Sequence, residues 1–202
     1  MDLEIEVKFI LSDYTALMSK IKALALPCTQ ERVFELNLRF DQPDRRLFSA
    51  HQVLRLRKDH QAHLTFKGPG VLEEGVLLRK EIETIVADYD ATKRLLETIG
   101  YEVIMIYEKY RANYLMNGVV LSVDETPFGL FIELEGESPE QVRLAADKLG
   151  MDWAQRINQS YFALLNAFNQ NTGNNFRDLS FENFRGLKVE PSDLNLSYAD
   201  LK

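Results

Sequence analysis

Ionisable residues recur at i, i+2 spacing through nearly every extended stretch of this chain. Glu4, Glu6 and Lys8 open the series. Arg39 and Asp41, Arg55 and Arg57, Lys67, Arg79 with Glu81 and Glu83, Lys109 and Arg111, Asp124, and Glu133 with Glu135 follow. Residues two apart on a strand share one face. The opposite faces are apolar: Leu3/Ile5/Val7, Leu54/Leu56, Leu64/Phe66 and Ile132/Leu134. Taken singly, each strand reads as a solvated sheet face whose cross-strand ion pairs are worth ~0.2–1 kcal/mol each. Taken together the strands do not, because an ordinary exposed face is rich in Thr, Ser and Lys rather than Glu-x-Glu and Arg-x-Arg. A dry core is excluded, since each buried ion costs several kcal/mol. What remains is a hydrated interior: a sheet curled into a barrel, with charges lining a tunnel and helices outside. In such a lumen Arg and Lys neutralise an extended polyanion, Arg through bidentate forks to phosphate oxygens. The paired carboxylates supply the oxygen ligands that a hard divalent cation takes. Both signs in one cavity point to metal plus polyphosphate.

The elements that must present these side chains are legible from periodicity. Leu3–Ile10 alternates as a strand, and Leu17, Ile21 and Leu24 mark one face of a helix that Ser12 or Asp13 caps. Extended segments are expected near Val33–Asp41, Gln52–Lys58, His63–Lys67 and Arg79–Ile85, and a helix over Asp88–Gly100 with the glycine as its stop. Val103–Met116 and Val119–Glu125 flank Asn117-Gly118, the dipeptide preferred by a type I′ hairpin. That turn pairs Met116 with Val119, Asn113 with Ser122 and Arg111 with Asp124, so the charged faces of both strands coincide. Phe131–Gly136 is the last strand. Ser138-Pro139-Glu140-Gln141 opens a helix with a cap, an N1 proline and a capping-box glutamine. Trp153, Ile157, Tyr161, Leu164 and Phe168 suggest one final helix. The order strand, helix, three strands occurs twice, and Glu4-Ile5-Glu6 resembles Glu81-Ile82-Glu83, a loose sign of duplication.

The chain has 202 residues, a net charge of −7 and 46% hydrophobic residues, which excludes a mostly disordered protein and suits one medium domain with an appendage. No apolar run approaches the ~20 residues of a membrane helix, and the start lacks a basic, apolar leader. Cys28 is the only cysteine, so intrachain disulfides and multi-cysteine metal sites are excluded. A cytoplasmic protein with no membrane partner is the expectation, and the acidic balance argues against a general nucleic-acid coat. Asn169–Asn175 reads as a polar linker. Beyond it, residues 176–202 show no sustained period and read either as disordered or as a strap docked on the domain or on a partner.

The ordered set of motifs resembles the CYTH superfamily, the triphosphate tunnel metalloenzymes. The resemblance rests on Glu4-Ile5-Glu6-Val7-Lys8, Phe40-Asp41, Leu54-Arg55-Leu56-Arg57, Leu64-Thr65-Phe66-Lys67-Gly68-Pro69, Arg79-Lys80-Glu81-Ile82-Glu83, Lys109-Tyr110-Arg111, Val123-Asp124-Glu125 and Ile132-Glu133-Leu134-Glu135. It covers residues 1–168 and leaves 169–202 as linker and tail. It implies an α+β fold: an eight-stranded antiparallel β-barrel around a tunnel, with helices packed outside. It further implies binding of a small-molecule triphosphate with Mg²⁺ or Mn²⁺. By this resemblance Glu4, Glu6, Asp124, Glu133 and Glu135 hold metal. Lys8, Arg55, Arg57, Lys67, Lys109 and Arg111 grip phosphates, and Glu81 and Glu83 orient those cations or ligate a second ion. Glu4, Glu6 and Lys8 form the catalytic group, with Glu4 or Glu6 activating water through the metal.

Three activities follow as alternatives: metal-dependent hydrolysis of inorganic, nucleoside or thiamine triphosphate; cyclisation of ATP to cyclic AMP and pyrophosphate, as in class IV adenylate cyclases; and polyphosphate or nucleotide binding without turnover. Both Glu-x-Glu pairs are intact, which places the last reading behind the others. The sequence shows no base-binding subsite and leaves open whether the protein acts as a homodimer. His51, His60 and His63 read as solvated loop histidines, Cys28 as incidental, Gly68-Pro69-Gly70 as a turn rather than a phosphate loop, and Trp153 as part of a helix's core stripe.

Overall fold

A computed structural model describes residues 2–201. Eight strands form one antiparallel sheet: β1 (Asp2–Leu11), β2 (Cys28–Asp41), β3 (Val53–Lys58), β4 (Ala62–Glu73), β5 (Val76–Val86), β6 (Glu102–Met116), β7 (Val119–Thr126) and β8 (Gly129–Glu135). The sheet closes on itself in the order β1-β5-β4-β3-β2-β6-β7-β8, which is the expected barrel. Five helices accompany it: α1 (Tyr14–Ala23), α2 (Arg46–Ser49), α3 (Tyr89–Thr98), α4 (Pro139–Lys148) and α5 (Tyr161–Thr172). Among the described residues, no helix is long and apolar enough to cross a membrane.

Caps set the helix starts as the sequence suggests. The side chains of Asp13, Asp88 and Ser138 accept from the backbone N–H three residues on, at the first turns of α1, α3 and α4. The β6–β7 hairpin has the anticipated register, with Met116 opposite Val119, Asn113 opposite Ser122 and Arg111 opposite Asp124. Asn117 and Gly118 both take positive φ, as a type I′ turn demands.

Alternation divides the barrel wall into two faces. Outward residues Ile5, Val7, Phe9, Leu121, Val123, Ile132 and Leu134 pack with Leu17 and Ile21 of α1 and Val142, Ala145 and Ala146 of α4. Leu38, Phe40 and Leu56 pack with Leu96 of α3. The third apolar cluster behaves differently. It joins Ile10, Met105 and Phe131, which share the inward parity, to Ile157, Tyr161, Leu164, Leu165 and Phe168 and to tail residues Leu179, Phe184 and Leu194. One end of the barrel is therefore roofed by the C-terminal segment.

Two features of that segment correct the sequence reading. The expected single helix over Trp153–Phe168 is broken: Trp153–Gln155 is a 3-10 turn, and Ile157 pairs with Lys8 of β1. Trp153 accordingly packs beside Phe9, with ring centroids 6.1 Å apart, rather than on a helix stripe. The expected linker is helical as far as Thr172, and Gly173, with φ 73°, ends α5. The tail is the strap rather than a disordered end. Leu179 hydrogen-bonds to Ile106 and Glu108 along the edge of β6 that β7 does not reach, as Ile157 does along β1 beyond β5. Residues from outside the sheet thus satisfy both edges left open by the strand stagger. The strap ends with Ala199 bonded to Ile10 and the Asp200 carboxylate accepting from the Ser12 and Asp13 N–H groups.

Candidate active site

The inner wall carries the charges. β1 presents Glu4, Glu6 and Lys8, whose outward neighbours Ile5, Val7 and Phe9 are core, and the partner strands repeat the pattern around the ring. Beneath the α5 roof lies a cavity of about 380 Å³, within the ~300–1,000 Å³ usual for small-molecule sites. Six cations line it (Lys8, Arg39, Arg55, Lys67, Arg79 and Lys109) against two carboxylates, Glu6 and Glu133. Tyr107 rises from the wall, and residues from Ile157 to Ala163 form the roof. Ser160 caps α5 there, its hydroxyl accepting from the Ala163 N–H at 3.3 Å, so the positive end of the helix dipole adjoins the cavity.

Behind the cavity the expected residues form two ion networks. In the first, Lys67 Nζ lies 2.5 Å from Glu4 and 2.9 Å from Glu81, while Arg79 donates to both Glu4 and Glu6 at 2.8 and 2.9 Å. In the second, fully buried Asp124 accepts from Lys109 at 2.8 Å, from two nitrogens of Arg111 at 2.6 Å, and from the Tyr161 hydroxyl at 3.0 Å. Glu133 bridges Arg111 at 2.5 Å and Lys8 at 2.8 Å. Burial alone would lower the Lys8 pKa, yet Glu133, Glu6 and Asp124 more than offset it and raise it. Burial would likewise raise Glu133, but Lys8, Arg111 and Lys109 hold it well below the ordinary carboxylate range. Glu135 behaves in the opposite sense. Desolvation, then repulsion from Glu4 and Glu6, pushes its carboxyl up to about 7, although the residue keeps an exposed surface at the rim. Burial raises Tyr107, but Arg55, Lys109 and Lys67 outweigh it and lower the phenol.

The other residues of the sequence reading divide between the cavity and places outside it. Arg57 sits away from the cavity with Asp59 at 3.3 Å, Glu83 at 3.5 Å and Glu35 at 3.8 Å. His63 is not a solvated loop residue: it belongs to β4, with its ring 3.0 Å from Glu83. His51 lines the cavity. Arg39 and Arg79, which the sequence placed in the charged series without a phosphate-binding role, both face the cavity. Glu35 and Asn37 escaped notice altogether. They share the inward parity of Arg39 and Asp41, and extending the i, i+2 count back along β2 reaches them. Asp41 itself is structural, accepting from the N–H groups of Leu47 and Phe48 to hold α2. Among the described residues, no three His, Cys, Asp or Glu side chains stand at metal-ligand spacing.

Glu35 gives a pH prediction. It is 1% exposed, and Lys109, Arg111, Arg57 and Arg55 overcome the burial that would raise its carboxyl, lowering it from the ordinary 4.5 to about 2. The unfolded chain therefore binds the proton more readily. The stabilisation is complete above pH 4.5 and is lost as pH falls toward 2. At ~1.4 kcal/mol per pH unit, wild type should exceed Glu35→Gln by about 3 kcal/mol at neutral pH. Urea midpoints taken from pH 7 down to 3 should show that gap closing; a constant gap would mean the charge is not its source.

The sequence profile of the CYTH domain matches residues 2–161. The chain belongs to the CYTH family. Solved structures agree at the level of fold. A Vibrio parahaemolyticus protein described as a putative adenylate cyclase superposes with a TM-score of 0.74 at 22% identity, covering 82% of this chain and 98% of the other. A Pyrococcus horikoshii protein does so at 0.67 and 21% identity, covering 78% and 96%. A Hippeastrum protein, named a putative adenylyl cyclase and reported with a dominant triphosphatase activity, matches at 0.61 and 21% identity, covering 87% and 98%. No curated protein matches the sequence. The CYTH match ends at Tyr161, the first residue of α5. Most of the roof helix and the whole strap therefore lie beyond it.

Proposed function

We propose that this CYTH protein is a divalent-metal-dependent triphosphatase acting on a tri(poly)phosphate drawn into the barrel. The observation that carries this reading is the convergence of Lys8, Arg39, Arg55, Lys67, Arg79 and Lys109 on one cavity. A linear chain of phosphoryl groups is the small anion dense enough in charge to need so many cations, and Arg pairs with it through two parallel hydrogen bonds. Phosphoryl transfer needs little covalent help from protein; positioning and neutralisation of the equatorial oxygens supply most of the catalysis. Lys8, held charged by Glu133, and Lys109, bonded to Asp124, are point charges for this task, and Arg55 supplies the fork. No nucleophilic side chain is required.

The donor chemistry fits Mg²⁺ or Mn²⁺. Glu4, Glu6 and Glu135 would hold the ion: they offer the carboxylate oxygens such ions take, and the repulsion at Glu135 is what a cation relieves. They do not stand at ligand spacing while Lys67 and Arg79 engage Glu4 and Glu6, so binding would have to draw them together. Asp124 and Glu133, expected as ligands from the sequence, are instead assigned to anchoring Lys109, Arg111 and Lys8. When bound, the metal would neutralise phosphoryl charge and polarise the P–O bonds.

One observation favours adenylate cyclase chemistry as the second reading. Phe48 and Phe162 stand edge to face at the cavity, with centroids 5.8 Å apart, a surface against which a nucleobase could rest. The decisive assay incubates purified protein and Mg²⁺ or Mn²⁺ with tripolyphosphate, ATP or thiamine triphosphate. Orthophosphate is the expected product. Cyclic AMP and pyrophosphate from ATP would replace this reading by the second, and tight binding without turnover by a noncatalytic module.

A further inference from the structure

We infer that Glu35 and Asn37 hold the water that attacks the terminal phosphoryl group, a role resting on the triphosphatase reading above. Both residues lie on the inner face of β2 and are 1% and 0% exposed. Both Asn37 amide atoms and Glu35 Oε2 lack a hydrogen-bond partner among the described residues. So does Arg55 Nε on the adjoining strand; Arg57, the register partner of Asn37, turns its Nε to Asp59 at 3.3 Å, and Glu35 Oε2 stands 3.7 Å from Lys109 Nζ. Buried polar atoms are nearly always paired, and four atoms without a hydrogen bond on two neighbouring strands mark a place built for a polar guest. The position fits one role. Glu35 stands opposite Lys109 and Asn37 opposite Tyr107, so the pair lies one residue behind the cavity wall that Lys109, Tyr107 and Arg55 form.

Asn37 Nδ2 and Arg55 Nε are donors that suit a phosphate oxygen, whereas the two acceptors, Glu35 Oε2 and Asn37 Oδ1, select water. A carboxylate oxygen and an amide oxygen are acceptors, and Glu35 stays ionised near neutral pH, so a phosphate oxygen would be repelled. A water donating to both has its lone pairs turned away from them, toward the phosphorus that Arg55 and Lys109 hold. The Asn37 Nδ2 group remains free to donate to an equatorial phosphoryl oxygen, tying nucleophile and electrophile to one side chain. Orienting the nucleophile is a recurrent task in phosphoryl transfer. The water oxygen forms the new P–O bond, and the bridging P–O bond breaks with its electron pair leaving on the diphosphate. One water proton stays on the orthophosphate, and the other passes to the diphosphate or to bulk water. Glu35 acts as an acceptor, not as a proton store. The sequence reading assigned the water to Glu4 or Glu6; here it is placed on β2.

Asn37→Leu separates this role from a structural one, because it removes two unsatisfied polar atoms while keeping volume. Tripolyphosphate turnover, calorimetric binding of tripolyphosphate and the melting temperature are measured together with wild type. The expected result is a kcat lower by about 10²-fold, binding within threefold of wild type, and a melting temperature equal or higher. Asn37→Asp, which keeps an acceptor and the size, should recover part of the lost kcat. A kcat within threefold of wild type in Asn37→Leu overturns the assignment, as does parallel loss of binding and melting temperature in both variants. A wild type inert on every triphosphate overturns the triphosphatase reading as well, so the two failures are distinguishable.

Discussion

Arg55→Met should lower kcat/KM for tripolyphosphate by about 10²- to 10³-fold while the protein melts near the wild-type temperature. Arg55 is suited to such a split. Its side chain faces the cavity, and its protein contacts are long: Tyr107 at 3.5 Å, Thr65 at 3.3 Å and Glu83 at 3.6 Å. Its Nε has no partner among the described residues. Little native bonding is therefore lost on truncation. A preorganised donor aimed at developing phosphoryl charge is worth about 3–4 kcal/mol in the transition state. Arg55→Lys should recover only a fraction of the activity, because an ammonium cannot reproduce a planar fork. Steady-state kinetics beside a thermal melt reads both quantities. Wild-type kcat/KM in Arg55→Met would remove the cavity from the reaction.

The largest loss of stability is expected at Asp124→Asn, about 3–5 kcal/mol. Asp124 is fully buried and accepts four hydrogen bonds, three of them from Lys109 and Arg111. An amide cannot neutralise two cations, and removing one side of a buried ion network leaves the other uncompensated. At roughly 2–4 °C per kcal/mol for a chain of this size, the melting temperature should fall by about 6–20 °C. Adding Lys109→Met to Asp124→Asn tests the cause. Removing one orphaned cation should restore part of the loss, so the double variant should melt above the single one. A further, additive drop would mean that packing rather than charge explains the effect. Activity should fall in every case, since Lys109 and Tyr161 line the cavity and Asp124 holds both.

These contrasting expectations follow from how the barrel uses charge. Lys8, Lys109 and Arg111 are neutralised by Glu133 and Asp124, and a phosphate ligand must share them with those carboxylates. Arg55 makes only long side-chain contacts, although against its burial Tyr107, Glu81 and Glu35 together favour its charge, and Arg39 is less committed still. Burial lowers the Arg39 pKa in spite of Tyr107 and Asp41, and its guanidinium rests over the Phe162 ring at 4.7 Å. The cavity therefore pairs tightly held cations on one wall with loosely held ones on the other, where an incoming anion meets the smaller cost of displacement.

Period-two alternation made the eight strands readable because it is a local property: each residue's face follows from its parity along its own strand. The Asn117-Gly118 turn went further and fixed a pairing, Arg111 with Asp124, since a two-residue loop leaves one register. The excess of paired acids and bases on the inner parity then required a hydrated, closed sheet. Parity could not say at what depth each charge would lie. In a closed barrel the strands tilt and stagger, so neighbours such as Lys67 and Glu4, or Lys8 and Ile157, are decided by closure. Only the tertiary structure drew Arg39 and Arg79 into the cavity, left Arg57 outside it, and exposed the orphaned atoms of Glu35 and Asn37. It likewise turned an aperiodic tail into a strap. Leu179 and Ala199 bond to the edges of β6 and β1, and such pairing depends on backbone groups left open by strand stagger, which no side-chain pattern records.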